Sequence, residues 1–549
     1  MGDLKPRSAL ISVYDKTGID TFARSLAETF GVGIISSGGT ARVLSEAGIP
    51  VRDVKDLTGT PAMLGHRVVT LHPKVHGGIL AIRDDAEHQA DMAEHGIEPI
   101  DMVVAGLYPF EQAIAKPGCT FEQAIEMIDI GGPTLVRAAA KNHRYVAILT
   151  RPEHQQLVLD ELRERGGISD ATRLSLARQA FELTCSYDVA VTTYFQQQEG
   201  IEWPDSLAVA ARKVHACKYG ENPHQPGAVY ALPRHQSEPS LVRATLPGGN
   251  PMSFNNYVDA ESAFRFLRDL NELGGGKPAV TWIKHTNPCG AAIAETPEEA
   301  YRLAYLGDPV AAAGGIVAMN FPVTAQIAQM AMTTYPTWGK AAGAAFFKLD
   351  VWVAPSFDDD ALKIITTPTE KRKWGAACRL VAVGDVGGPS DETELDVKKV
   401  AGGLLVQARD LVGLNEEEWQ VVTKRSPTDA EMTGLRFAWL AAKHTKSNTI
   451  IAARGQRLLG TGAGQMSRVM SAKIAVELAT EHGHLSDDKQ FVAASDAMFP
   501  VPDGPTWLME AGATAIIQPG GSNRDADIIA AADERDVAMV LTGARHFKH

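Results

Sequence analysis

Cysteine is scarce in this chain. Five cysteines occur in 549 residues, at positions 119, 185, 217, 289 and 378, and no two are spaced as a CxxC pair. An odd, scattered set excludes a disulfide framework and reads as thiols of a reducing compartment. Positive charge is also in short supply: 53 Lys and Arg stand against 66 Asp and Glu, a formal net charge of -13. A nucleic-acid binder needs cations clustered over a broad face, so no nucleic-acid partner is expected, whereas a small anionic substrate needs only a few local cations. Long apolar runs are missing too. None reaches the ~20 residues that span a bilayer, and Met1-Gly2-Asp3-Leu4-Lys5-Pro6 leads into a strand pattern without the apolar region of a signal peptide. The expectation is a cytoplasmic protein with no membrane partner. The rest is ordinary for a globular enzyme: 45% hydrophobic and 22% charged residues, in a length that allows about three or four structural units.

The densest chemistry lies at Lys284-His285-Thr286-Asn287-Pro288-Cys289-Gly290. The apolar run 279–283 before it reads as a buried strand, and Pro-Cys-Gly reads as the turn that ends it. A cation and an imidazole then sit at a strand's carboxyl end, the edge at which open α/β sheets bind ligands. A similar pattern returns at Lys443-His444-Thr445-Lys446-Ser447-Asn448, after the apolar run 437–442. The downstream order returns as well, with 310–319 and 344–355 after the first copy and 491–499 and 513–519 after the second. The two pairs read as counterparts in an internal repeat of similar α/β subdomains, with a site between them.

From the N-terminus, 9–13 reads as a strand, 19–29 as a helix with Phe22, Leu26 and Phe30 at helical spacing, and 32–35 as a second strand. That strand opens into Ser36-Ser37-Gly38-Gly39-Thr40 and a helix over 41–47. The turn fits a phosphate cradle at a helix N-terminus and equally a tight turn capped by Thr40; it has neither GxGxxG nor P-loop spacing. Further on, Pro73 interrupts His72 and His76 and no acidic ligand stands at helical spacing, so no metal is expected there. Strand 102–106 delivers Leu107-Tyr108-Pro109-Phe110. Asp129, on the turn Asp129-Ile130-Gly131-Gly132-Pro133, precedes a helix that starts near Pro133 and on which Arg137 and Lys141 share a face. A carboxylate, two cations and a phenol converging on one crevice can move protons and hold an anion. A solvated ion-pair face competes with that reading. Helices over 153–198, broken near Gly166, lead to the polar stretch 196–204, the best linker candidate.

Taken together, several stretches resemble one family. They are Ser12-Val13-Tyr14-Asp15-Lys16-Thr17-Gly18, Ser37-Gly38-Gly39-Thr40, Thr70-Leu71-His72-Pro73, Leu107-Tyr108-Pro109-Phe110 and Asp129-Ile130-Gly131-Gly132 in the first part of the chain. Tyr219 to Gln225, Lys284 to Gly290, Ser447-Asn448, Gly462 to Arg468, Ser495-Asp496 and Thr542-Gly543-Ala544-Arg545-His546-Phe547 follow in the second. The family is the bifunctional purine biosynthesis protein, in which phosphoribosylaminoimidazolecarboxamide formyltransferase is joined to IMP cyclohydrolase. The resemblance implies an α/β fold with a methylglyoxal-synthase-like cyclohydrolase domain over 1–199 and a linker over 200–210. It further implies a transformylase over 211–549, made of two cytidine-deaminase-like α/β subdomains that meet near 360–400. It implies a homodimer with transformylase sites at the interface, 10-formyltetrahydrofolate as co-substrate, and AICAR, formyl-AICAR and IMP as the other ligands. No catalytic metal is implied: the deaminase zinc signature needs PCxxC, and Cys289 is followed by Gly290-Ala291-Ala292. A structural potassium ion stays open.

By the same resemblance His285 is the base of formyl transfer, Lys284 supplies positive charge or a proton, and Asn448 orients the formyl oxygen. Lys218, Tyr219, Arg468 and Arg545 hold nucleotide or folate, with Asn255 and Asp308 as further contacts. Ring closure falls to Asp129, Lys141 and Tyr108, while Ser12, Lys16, Ser37, Gly38, Gly39, Thr40, Arg67 and Thr70 hold the ribose phosphate. The chain departs from the family pattern at Val69 in place of Lys, Gly106 in place of Asn and Lys218 in place of Arg. Ala311 stands where Ser is frequent and Met498 where Phe is frequent. Val69 and Gly106 raise an alternative, a transformylase whose N-terminal domain is weakened or inactive.

Overall fold

The computed structural model describes residues 2–232, 238–368, 373–486 and 489–549. The chain divides into two units, Met1–Ala211 and Arg212–His549.

In the first unit five parallel strands stand in the order Val51–Asp53, Gly33–Ser36, Ser8–Ser12, Met102–Ala105 and Ala147–Leu149. A parallel sheet is covered on both faces, so Ala9, Leu10, Ile11, Val103 and Val104 are all buried and read as unbroken apolar runs. Phe22, Leu44, Leu135, Val136 and Val158, from four different helices, belong to the same core. The strand order reverses beside Ser8–Ser12, and a crevice outside the carboxyl ends at such a reversal is where open sheets take ligands. Residues 13–18, 37–40 and 106–110 follow the strands at that edge.

The second unit holds two six-stranded sheets of one design. The first runs Asn287–Ile293, Ala279–Lys284, Gly315–Met319, Leu349–Ala354, Arg379–Ala382, Thr245–Gly248; the second runs Leu458–Gly462, Ile450–Ala453, Phe491–Ser495, Ala513–Gln518, Ala538–Leu541, Gln420–Val421. In each, the first two strands form an antiparallel hairpin, the next three run parallel to one another, and the last strand is antiparallel to its neighbour. Helices Phe254–Leu273 and Asp429–Lys443 hold equivalent places and share one apolar core.

This symmetry establishes the internal repeat but not the pairing of its Lys-His motifs. The counterpart of strand Ala279–Lys284 is Ile450–Ala453, whereas residues 437–442 lie in helix Asp429–Lys443. Lys443 and His444 therefore end a helix. A helix covered on most sides is apolar nearly all round, which hides its 3.6-residue period and lets 437–442 pass for a strand. Pro288, Cys289 and Gly290, read from sequence as a turn, lie instead within strand Asn287–Ile293, at the edge of its sheet. An edge strand tolerates proline. Gly290 answers to packing, because a Cβ there would lie 2.0 Å from the Ala304 carbonyl oxygen. Gly460 and Gly462 of the equivalent strand meet the same limit, 2.1 Å from the Ala475 oxygen and 1.9 Å from the Ser471 oxygen.

Within 360–400, where the sequence places the subdomain boundary, residues 369–372 lie outside the described residues. Strand Arg379–Ala382 completes the first sheet, and the hairpin Leu395–Val400 with Gly403–Ala408 follows it.

Candidate active sites

In the first unit most candidate residues converge at the strand-order reversal. Ser12 ends the central strand, and beyond it Lys16 donates to the Tyr14 carbonyl at 3.2 Å and passes 3.8 Å from where a Gly39 Cβ would stand. The helix expected over 41–47 begins earlier, at Gly38, with Ser37 at its N-cap and no side-chain hydrogen bond capping it. Thr40 does not cap; its Oγ1 accepts from the Val13 N–H at 3.3 Å and donates to the Val13 oxygen at 3.1 Å. The amides of Gly38 and Gly39 thus open a helix beside a lysine, an arrangement that suits an anion. Arg67 pairs with Glu126, and buried Thr70 lies under the next turn, its Oγ1 3.4 Å from where a Gly131 Cβ would be.

Tyr108 packs edge-on against Tyr14 with ring centroids 5.6 Å apart. Asp129 accepts from the Gly132 N–H at 2.8 Å and the Tyr108 N–H at 3.3 Å, while its own N–H donates to Tyr187 at 2.8 Å. Burial holds the Asp129 carboxyl above the usual carboxylate range against the pull of those two N–H groups, and burial pushes the Tyr187 phenol up to about 12. A carboxyl so placed is suited to proton transfer. Its position depends on Gly132, where a Cβ would fall 2.4 Å from Asp129 Oδ2.

Lys141 is not brought to this group within one chain. It ends helix Gly131–Lys141, whose first turn holds Asp129, and the nine-residue rise from Gly132 is about 14 Å. Pro133 is the third residue of that helix, and Arg137 lies over the Phe181 ring at 5.6 Å. Spacing of four residues shows that two cations share a face; it does not bring that face to the helix N-terminus. Gly106 faces no tight contact, since a Cβ there would meet Tyr14 N at 3.7 Å. The His72 ring caps helix Pro73–Leu80 by accepting from the Lys74 N–H at 3.1 Å.

In the second unit Lys284 ends its strand and donates to the Ala313 carbonyl at 2.9 Å. His285 and Thr286 follow with φ of 52° and 65°. Residues with a Cβ pay about 1–3 kcal/mol to stay in such a conformation, so something must hold them there. Asp259 does so by accepting the Thr286 N–H at 2.8 Å. Burial raises the Asp259 carboxyl, and the nearby charges of His285 and Lys446 pull the other way. The sequence reading missed this residue, although it stands one helical turn beyond Asn255. The Asn255 amide donates to the Glu221 oxygen at 3.2 Å, next to the loop carrying Lys218 and Tyr219, whose ammonium and ring lie 5.9 Å apart.

Asn287 Oδ1 accepts the Lys446 N–H at 3.0 Å and so ties the first half to the second. Beyond this tie, Asn448 Oδ1 accepts from Arg468 at 2.7 Å, and Arg468 pairs with fully buried Asp496. Asp496 also accepts from Ser447 and from the Thr449 N–H at 3.1 Å. It sits in a stretch that carries the family resemblance, yet the sequence alone gave it no role. A cavity of about 540 Å³ opens here, with Asn448, Arg468, Met498, Asp503, Arg545 and Phe547 in its wall. Arg468 is committed to Asp496 and Asn448, whereas Arg545 is exposed, 4.4 Å over the Phe547 ring. Asp308 stands on the loop before Lys284's carbonyl partner, 3.2 Å from His482.

Among the described residues no group of three or more His, Cys, Asp or Glu is arranged to hold a metal ion, and no helix is long and apolar enough to cross a membrane. Fold and sites together define a two-site α/β enzyme for small anionic molecules, with one site on a parallel sheet and another in a duplicated unit. Residues 18–134 match the MGS-like domain family and residues 139–478 match the AICARFT/IMPCHase bienzyme family. The chain is 46% identical to the bifunctional purine biosynthesis protein PurH of Magnetococcus marinus, over 99% of this chain and 100% of that protein. It is 45% identical to the Persephonella marina protein of that name and 43% identical to the Halalkalibacterium halodurans one, with the same coverage. The chain belongs to the family of bifunctional purine biosynthesis proteins.

Proposed function

We propose that the chain catalyses the last two steps of IMP formation, as a cytoplasmic homodimer with transformylase sites completed at the subunit interface. The observation that carries the reading is that relatives bearing the bifunctional name align over 99% of this chain, through both units. The same alignment gives no support to a weakened first domain. Apolar residues left exposed on the hairpin after the first sheet, Leu404 and Leu405 among them, favour a second copy as cover.

In formyl transfer the AICAR amine is a poor nucleophile, because its lone pair is drawn into the ring and carboxamide. His285 takes its proton as it attacks the formyl carbon of 10-formyltetrahydrofolate. Lys284 stabilises the oxyanion that forms, and Asn448 orients the formyl oxygen. Lys218 and Arg545 hold the phosphate, with Tyr219, Asn255, Asp308 and Arg468 shaping the site. In ring closure the carboxamide nitrogen attacks the formyl carbon of the same molecule and water leaves, so holding the folded substrate supplies much of the acceleration. Asp129 and Tyr108 manage its protons, and the cradle of Ser12, Lys16, Ser37, Gly38, Gly39 and Thr40, with Arg67 and Thr70, holds the phosphate. Removing formyl-AICAR draws the transfer step forward.

The test is a stopped assay with AICAR and 10-formyltetrahydrofolate that resolves formyl-AICAR from IMP. Prompt IMP is expected; lasting formyl-AICAR would remove the second activity, and neither product would overturn the proposal. Running it in sodium and in potassium buffer tests the structural potassium ion. Val69→Lys is expected to change ring closure by less than about tenfold, or about 1.4 kcal/mol.

A further inference from the structure

Two histidines of the second half reach the loop behind Lys284. Helix Arg468–Glu481 ends at His482, and His482-Gly483-His484 turns against residues 307 and 308 of the first half. His484 Nε2 donates to the Gly307 oxygen at 3.1 Å, and its Nδ1 accepts from Arg457 at 2.9 Å. With a guanidinium donating to one nitrogen, the proton of a neutral ring is confined to the other. Burial, helped by the Arg457 charge, pushes this imidazole down to about 4, in keeping with that tautomer. His482 Nε2 lies 3.2 Å from Asp308 Oδ1, an ion-pair contact.

The gripped residues begin a short loop with little slack. Asp308 Oδ1 also accepts the Val310 N–H at 3.1 Å and the Ala311 N–H at 2.8 Å, and the Ala312 N–H donates to the Asp308 oxygen at 3.0 Å. One residue later the Ala313 oxygen receives Lys284 at 2.9 Å. A shift of Asp308 is therefore transmitted to the acceptor that orients the Lys284 ammonium.

We propose that His482 and His484 are positioning residues for formyl transfer, a clamp by which the second half fixes the 307–314 loop and through it Lys284. The inference rests on the proposed role of Lys284. The charged groups around the clamp are Asp308, Glu481 on its own helix, and Arg457 with Arg302, Arg454 and Glu299 beyond it; Cys289 interacts with both Asp308 and Lys284. Asp308 raises the His482 pKa against the effect of burial. The grip is therefore full at low pH and weakens as pH rises through that raised value.

The experiment uses full-length His482→Ala and His482→Gln, with His484→Ala as an independent variant. Formyl-transfer kcat and KM are measured across the range in which histidine titrates, together with ring closure of supplied formyl-AICAR and hydrogen exchange of peptide 307–314. His482→Ala and His484→Ala are each expected to lower kcat about tenfold at nearly unchanged KM for AICAR, to speed exchange in 307–314 and to spare ring closure. His482→Gln, whose amide offers Asp308 an uncharged N–H donor, recovers much of the rate and flattens the alkaline limb of the pH profile. Wild-type kcat and exchange in the alanine variants would overturn the clamp, as would an equal loss of ring closure. A wild-type protein without formyl transfer would count against the proposed function, while the exchange measurement would still decide the clamp.

Discussion

Lys284 and His285 end a strand, Lys443 and His444 end a helix, and both pairs are anchored by one helix, Phe254–Leu273, through carboxylates ten residues apart. Asp259 takes a backbone N–H beside the first pair and leaves the exposed imidazole of His285 unengaged by it. Asp269 takes the side chains of the second pair, with Oδ2 2.8 Å from Lys443 Nζ and 2.8 Å from His444 Nε2. The second pair is buried, and the His444 ring stacks on Phe266 with centroids 5.2 Å apart. Under the proposed function the same dipeptide would serve chemistry in one place, while its contacts with Asp269 make it architecture in the other. What separates the two is which of their groups the surroundings have already used, and a cation-imidazole pair is a catalytic candidate only where its charge is unspent.

The largest expected effect tests that division directly. His285→Ala should lower formyl transfer by about 10²- to 10⁴-fold, the usual contribution of a general base. His444→Phe, which keeps the ring stacked on Phe266, should leave the rate within about threefold. Equal losses in the two variants would dissolve the comparison. Stability should respond in the reverse order. Asp269→Ala strands the buried Lys443 charge and should cost about 3–5 kcal/mol in urea unfolding. With an Asp269 side chain 22% exposed, the lower end is the better figure. Asp259→Ala removes one accepted N–H and should cost about 1–2 kcal/mol while cutting formyl transfer more sharply than Asp269→Ala does.

Three of the five strands of the first unit were legible to within a residue because they are short apolar runs ended by turn residues. The runs 9–13, 32–35 and 102–106 appear as Ser8–Ser12, Gly33–Ser36 and Met102–Ala105, and the break near Gly166 separates Glu153–Arg165 from Asp170–Gln198. The second unit misled where burial erased periodicity, at 437–442, and where a glycine answered to a neighbouring helix rather than to a turn, at Gly290. Lys284, His285 and Asn448 were legible as candidates through the motifs that carry them. Asp259 and Asp496 were not, because a carboxylate that holds a backbone or another side chain has no spacing of its own. Lys141 is a related case: a shared helix face gives a direction, and the distance along the axis has to be supplied by the fold.

The last effect concerns acid, and its sign follows from burial. The His444 imidazole, desolvated and crowded by the charges of Lys443 and Lys548, is pushed down to about 4 although Asp269 draws it upward. In the unfolded chain it binds a proton near its ordinary value of about 6.5. Between those values the unfolded state takes up a proton that the native state refuses, so stability falls as pH drops from about 6.5 to about 4. Asp269 acts in a different window. Burial alone would raise its carboxyl, but His444 and Lys443 outweigh burial and hold it below the usual carboxylate range. Its contribution is therefore present above about 3.8 and is lost only in stronger acid. Unfolding in urea at pH 7 and pH 5 should show the wild-type chain losing about 2 kcal/mol more than His444→Phe over that interval. Identical slopes for the two proteins would mean that the ring is already charged in the native state, and that the second Lys-His pair is not the neutralised cluster its contacts with Asp269 describe.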